Sequence, residues 1–517
     1  MRLSLSRSLV LSTVLSVRSS AQAPFRLEET TIAQVHAAFR AHTLTCHALV
    51  RSYLDRIEAI DKKGPAINAL ITLNPAALAV ADSLDKRFAS GGLVGPLHCI
   101  PMIVKDNFET RDLQTTAGSL ALKGWIPNQD ATQVARVREA GAIVLAKSNM
   151  DEWAFSPLET VSSILPGYTR NPYDLSRVTA GSSGGTAAAV ASNEGEVGLG
   201  SDTGNSIRGP SSHNALVGIR STMGLTSRAG VVPLSNTADI AGPMARTVAD
   251  AVAVFNVIAG EDPADSVTAE SRGHREPDYN AFVKRGALKG ARIGILRQAY
   301  ERSSADSEVV AVFMRALDAM KAQGAIIVDS VNIQQPQAGR GGGSGGRGGS
   351  CGSFKYDLEA YFAKRGDGAP VKTIDAIMRS GAYHPLAFQR LQAAQRDSVP
   401  PSAEGCQSFV ANRERFRTAI VTAMDTLKLD ALVYPTWSNP PRLIGDLNNS
   451  GAAGDNSQVY SPRSGFPAIN VPMGYTRGNT LPAGVTFFGR AYSEGTLIGL
   501  AYDFEQATRV RKPPPLK

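Results

Sequence analysis

From Cys99 onward the chain alternates between apolar runs too short to be helices and segments with helical spacing. That alternation narrows the folds open to it more than any other feature. Cys99 to Val104 is strand-like and ends on Lys105-Asp106-Asn107. Asp130 is expected to cap a helix running through Ala140, Gly141 stops it, and Ala142 to Ala146 reads as a buried strand. A helix of small residues, Thr186 to Ser192, leads into a further short strand, Glu196 to Ser201. Ahead of this pattern, Thr31 to Ala41 and Cys46 to Ile60 read as amphipathic helices. In the second, Val50, Tyr53, Leu54, Ile57 and Ile60 recur at helical spacing behind the candidate cap Thr45. The prediction is an α/β fold, a mixed β-sheet core covered by helices on both faces.

One stretch breaks the pattern. Residues 334–353 run through GRGGGSGGRGGS, a composition that cannot bury a core and behaves as a flexible excursion. Regular structure resumes with Tyr356 to Lys364, a helix from about Phe409 to Leu427 and the strand Ala431 to Tyr434. The Gly-rich motifs before the insert and the PAINVP segment after it read as parts of one sheet. Residues 24–517 are therefore expected to form a single domain carrying a surface insert. With 43% hydrophobic and 19% charged residues over 517 positions, the chain can bury a large core.

The N-terminus reads as a leader. Arg2 and Arg7 precede the apolar stretch Leu9 to Val17, and Ala21-Gln22-Ala23 is a small-x-small cleavage site. Residues 1–23 are thus expected to be a signal peptide, which makes the mature protein periplasmic or secreted. Arg18 and the interrupting Ser12, Thr13 and Ser16 also fit a mitochondrial transit peptide, the alternative. Elsewhere nothing approaches the roughly 18 continuous apolar residues of a membrane span. The formal net charge is +8, but Arg2, Arg7 and Arg18 sit in the leader and the other basic residues are dispersed. No aromatic-interleaved patch marks a nucleic-acid partner. Cys46, Cys99, Cys351 and Cys406 have no zinc-type spacing. An exported chain would allow a Cys351–Cys406 disulfide, and four unpaired thiols are the other reading. His98 beside Cys99 makes no metal pair, because adjacent side chains on a strand point to opposite faces. No metal site and no cofactor are expected.

Two Gly/Ser-rich stretches carry chemistry: Ala180-Gly181-Ser182-Ser183-Gly184-Gly185-Thr186, and Gly200-Ser201-Asp202-Thr203-Gly204-Asn205-Ser206-Ile207-Arg208-Gly209-Pro210. Acyl transfer needs a nucleophile, a base for its proton, and N–H donors aimed at the developing oxyanion. Thr203-Gly204-Asn205-Ser206 can expose several amides to a substrate, since small residues allow close backbone approach.

These stretches resemble the amidase-signature family. Ser182 and Ser206 stand twenty-four apart, as the family's two catalytic serines do, and Lys105 follows an apolar strand in IPMIVKDN. The resemblance continues through KSNMDEW, NPYDLSR, MGLTSRAGVVPLS, DIAGPMARTVAD, GFPAINVPMGY and AYDFEQAT, covering Leu27 to Thr508. It implies Ser206 as nucleophile, Ser182 as a bridging serine on a cis peptide bond, and Lys105 as base, with Ser183 and Arg208 supporting. Arg208 reads most simply as an ion-pair partner of Asp202, and Asp106 and Asn107 as braces of the turn after Lys105. Asn205 stands where members commonly carry glycine, which bears on the substrate. Loops at Val161 to Thr169 and around Trp437 are expected to shape the acyl pocket.

The implied activity is hydrolysis of a small-molecule amide by water, through a seryl acyl-enzyme. The alternative is the glutaminase (A-type) subunit of a tRNA amidotransferase, which shares the signature. Gly-Ser-Ser-Gly-Gly also matches G-x-S-x-G, making Ser183 a candidate nucleophile elbow. Tyr173 to Ala180 makes a poor strand for an elbow, however, and His213, His274 and His384 sit in no setting that recommends a triad.

Overall fold

The computed structural model describes residues 25–516 except 157, 330, 335–353, 398, 401, 404–405 and 447–453. The expected leader therefore lies outside the described residues, as does nearly all of the Gly-rich insert.

The strands are β1 (Leu70–Leu73), β2 (Pro101–Lys105), β3 (Ile143–Ser148), β4 (Arg170–Asn171), β5 (Asp174–Val178), β6 (Val197–Asp202) and β7 (Val217–Arg220), followed by β8 (Ile240–Ala245), β9 (Arg292–Ile295), β10 (Ile326–Val328), β11 (Ala431–Pro435), β12 (Ala468–Thr476) and β13 (Leu481–Phe488). Among the described residues, eleven of them form one sheet in the order β1-β3-β2-β6-β8-β7-β12-β13-β11-β9-β10, while β4 and β5 pair separately. The sheet is mixed: β2 runs parallel to β3 and β6, whereas β8 runs antiparallel to β6 and β7. Every residue of β2, β3, β6 and β8 is buried. Because successive side chains point to opposite faces, both faces of this sheet are covered.

The helices cover it for reasons visible in their residues. In Cys46–Ile60 the apolar stripe Leu49, Val50, Tyr53, Ile57 and Ile60 is buried, and Thr45 accepts the Ala48 N–H as its cap. Helix Gly184–Ala191 is buried all round, which its alanines permit. Glycines let it approach closely: a Cβ on Gly185 would lie 2.2 Å from the Asn149 carbonyl, and one on Gly198 of β6 would lie 2.3 Å from Thr186 Cγ2. One apolar core runs from Ile32 to Phe504. A smaller one gathers helices Phe354–Ala363, Ile374–Ser380 and Phe388–Arg396 around Trp125, Trp153 and Phe155.

Two expectations are corrected. Asp130 caps nothing: helix Thr132–Glu139 has Ala131 as its N-cap, with no side-chain cap. Asp130 instead accepts the Arg111 N–H through Oδ1, which commits it to the turn at Arg111, and its Oδ2 sits 3.5 Å from the guanidinium groups of both Arg111 and Arg138. The reading of four free thiols also fails, since Cys46 and Cys99 form a disulfide with Cα atoms 5.7 Å apart. It ties the start of helix Cys46–Ile60 to the turn before β2. The Cys351–Cys406 pairing rests on Cys351, outside the described residues. No helix among the described residues is long and apolar enough to cross a membrane.

Candidate active site

Parallel pairing of β2 with β6 brings their C-terminal ends side by side. Lys105 is the last residue of β2, and the loop after β6 carries Thr203 to Ser206 into helix Arg208–His213. Ser182 and Ser183 close the loop leading into helix Gly184–Ala191, which packs on these same strands. Residues far apart in sequence thus meet at one sheet end, where open α/β sheets place their sites.

Lys105 is fully buried. Its Nζ lies 2.7 Å from Ser182 Oγ, 2.9 Å from Ser201 Oγ and 3.3 Å from the Ser201 carbonyl. Burial lowers its pKa from 10.5 to about 7, against the opposing pull of Asp239, Asp202 and Asp151. The Gly181–Ser182 peptide bond is cis. Ser183 is turned inward: its Oγ donates to the Ser201 carbonyl at 3.2 Å and its N–H to the Ser206 carbonyl at 3.3 Å.

Of Lys105, Ser182, Ser183 and Ser206, only Ser206 lines the adjacent cavity of about 500 Å³. Thr203, Gly204 and Asn205 line it too. Among the described residues, the backbone amides of Thr203 to Ser206 have no protein acceptor. An accessible hydroxyl beside four uncommitted amides is what an acyl-transfer site requires.

The loop is held from below by a buried ion cluster. Asp202 accepts the Ile207 N–H and sits 3.0 Å from both Arg208 Nε and Arg220 NH1. Burial alone would raise its pKa, but the two guanidinium groups bring it to about 2. Arg208 also donates to the Gly204 and Ser457 carbonyls, tying the loop to the far half of the sheet. Asp106 pairs with the buried Lys147 at 3.1 Å, and Asn107 donates to Ser201 Oγ at 3.0 Å, fixing the turn after Lys105.

Ser201, which touches Lys105 directly, was not foreseen, and one serine within a Ser-rich stretch gives no sequence signal. Asp239 was missed as well: it accepts Thr203 Oγ1 at 2.5 Å and the Leu234 and Ser235 amides. The aspartate of GVVPLSNTAD carries no mark of that role.

The cavity wall follows the expected loops in part. Val161 lines it, but Trp437 lies in a neighbouring cleft of about 390 Å³ with His213. The Asn205 side chain is buried against Gly209, where a Cβ would lie 2.6 Å from its Nδ2 and 3.2 Å from Trp437. His384 lines the cavity, yet its Nδ1 accepts the Leu386 N–H at 3.2 Å. His213 is buried against Trp437, and burial lowers its pKa to about 3. His274 stacks on Tyr492.

The family profile described as Amidase matches residues 48–498. The chain belongs to the amidase family. A protein of Arabidopsis thaliana named as a probable amidase is 35% identical over 99% of this chain and 96% of its own length. The A subunit of the glutamyl-tRNA(Gln) amidotransferase of Moorella thermoacetica is 34% identical over 89% of this chain and 92% of its own. Among solved structures, the native peptide amidase of Stenotrophomonas maltophilia superposes with a TM-score of 0.81 at 34% identity, covering 96% of this chain and 100% of that one. The large mixed sheet with its helices is that of amidase-signature enzymes.

Proposed function

We propose that this amidase-family chain hydrolyses a carbon–nitrogen amide bond through an acyl-enzyme on Ser206. The observation that carries the reading is the arrangement at the sheet end. A lysine whose pKa burial lowers to about 7 contacts Ser182 at 2.7 Å, while Ser206 alone of the set opens onto the cavity. Neutral Lys105 takes the Ser182 proton as Ser182 takes that of Ser206, and the Ser206 oxygen attacks the amide carbonyl. The Thr203–Ser206 amides hold the oxyanion. The relay then delivers a proton to the leaving amine, and water hydrolyses the ester. Ser183 and Arg208 support the loop without touching the reacting atoms.

The test is intact mass and peptide mapping of protein mixed with an amide and quenched before steady state. Acyl mass on the peptide containing Ser206, absent in Ser206→Ala, is expected. An acyl group on Ser183 would overturn the assignment in favour of the nucleophile elbow.

The likeness to the amidotransferase chains keeps the glutaminase reading in view. A free-standing enzyme is favoured by the N-terminal leader and by basic residues that are dispersed without an aromatic-interleaved patch. Turnover of an aryl amide by the purified chain alone separates the two. We also place the mature protein outside the cytoplasm, with residues 1–23 removed. The Cys46–Cys99 disulfide supports this, because such bonds persist in oxidising compartments. N-terminal sequencing of the native protein should begin near Pro24, and an intact Met1 on a cytosolic protein would overturn the placement.

A further inference from the structure

The cavity that Ser206 opens onto is lined on one side by Asp151, Glu152 and Glu159, with Arg390 near them. The three carboxyl groups come from KSNMDEW and its continuation, and none of them touches the reacting atoms in the scheme above. Glu159 is ion-paired with Arg442, a residue of the neighbouring cleft. Among the described residues, Asp151 and Glu152 have no ion-pair partner, although both are at least nine-tenths buried. Glu152 Oε2 accepts the Ser163 and His384 amides, the Ser119 hydroxyl helps hold its charged form, and among the described residues its Oε1 is buried without a hydrogen-bond partner. Among the described residues, Asp151 accepts a single amide, that of Ser156, through Oδ2 at 2.5 Å. Arg390 forms no ion pair among the described residues and lies 5.8 Å from the Phe155 ring centroid.

We propose that this acidic face binds a protonated amine carried by the substrate, with Asp151 as the group that meets it. The proposal rests on the amide-hydrolase reading and names the substrate class for that site: amides bearing a free amine near the scissile carbonyl. Geometry ties Asp151 to the reacting centre, since its own N–H donates to the Ser182 carbonyl at 3.1 Å. Two and three residues on, Trp153 and Ala154 both adopt left-handed backbone, at φ 56° and 60°. Burying carboxyl groups without a counter-charge is costly, and burial pushes both Asp151 and Glu152 towards the neutral form. An ammonium group brings the missing charge and three N–H donors. The charges facing Asp151 are Glu159 and Glu152, which strengthen a cation site, and Arg390, which weakens it.

The experiment compares alaninamide with N-acetylalaninamide at pH 7, where an α-amine of pKa near 7.7–8.0 is mostly protonated. Wild-type kcat/KM should favour the free amine by about tenfold or more, the scale of a charge-assisted contact. The preference should fade as pH rises past the amine pKa, and shrink to within about threefold in Asp151→Asn. Ethylammonium should inhibit the wild type more strongly than ethanol, a measurement that needs no variant. Equal turnover of both amides, a preference that survives Asp151→Asn, or equal inhibition by ethylammonium and ethanol would overturn the anchor. Failure of the wild type to cleave any amide or to acylate Ser206 would overturn the function beneath it.

Discussion

The reaction scheme stands or falls on the charge of Lys105. At pH 7.5, a lysine with the ordinary pKa of about 10.5 is neutral in only about one molecule in a thousand. With the pKa lowered to about 7, roughly three-quarters are neutral, so burial raises the supply of base several hundredfold. The cost falls on stability. A folded pKa below the unfolded value means that the unfolded chain binds more protons between pH 7 and 10.5. Stability therefore rises with pH across that window, by on the order of 5 kcal/mol from this group alone. The assay is kcat/KM against pH from 5.5 to 9.5 on an amide with no ionisable group. The rate should climb through an apparent pKa near 7 and hold a plateau on the alkaline side. Lys105→Ala should lose about 10²–10⁴ or more, and its residual rate should lack the inflection. Lys105→Arg should not restore activity, because a guanidinium stays protonated throughout. A flat profile, or Lys105→Ala within tenfold of wild type, would refute the reasoning, however well the geometry fits.

Three other substitutions probe the scaffold. Asp202→Ala strands Arg208 and Arg220 in a dry site and should cost about 3–5 kcal/mol in urea denaturation; a loss below about 1 kcal/mol would mean the cluster does not brace the loop. Gly185→Ala sets a Cβ 2.2 Å from the Asn149 carbonyl and 2.7 Å from that of Ala69, and should cost at least about 1–3 kcal/mol with impaired acylation, whereas unchanged melting would contradict the packing. Replacing both Cys46 and Cys99 by serine removes a crosslink spanning 53 residues and should cost about 2–5 kcal/mol in reversible denaturation; an unchanged midpoint would show that the bond adds nothing to stability.

What could be read from the sequence divides along a physical line. The strands β2, β3, β6 and β11 were visible because they contain runs such as Ala142 to Ala146, apolar throughout and bounded by Gly141 and Lys147. Helix Cys46–Ile60 was found to the residue because its stripe and its Thr45 cap agree. Lys105, Ser182 and Ser206 could be singled out because a lysine after an apolar strand, with Gly/Ser loops downstream, is an unusual combination. Asp130 misled because a carboxylate before a helix and a carboxylate between two arginines look alike until Arg111 and Arg138 are placed in space. The Cys46–Cys99 bond was hidden for the same reason, since pairing depends on where helix Cys46–Ile60 crosses the turn into β2.

The groups that set the Lys105 charge were the least legible of all. Ser201, Asp202, Asp239 and Asp151 reach it from β6, from the turn before β8 and from the turn after β3, and no local spacing connects those positions. Their contribution is a balance between desolvation and three opposing carboxylates, which exists only once the sheet order brings β2 between β3 and β6. Sequence supplies the reacting groups, and topology supplies the medium in which a lysine can act as a base. For that reason a change at Asp239, which does not bond to Lys105, should move the apparent pKa of the reaction downwards, by removing a charge that holds the proton.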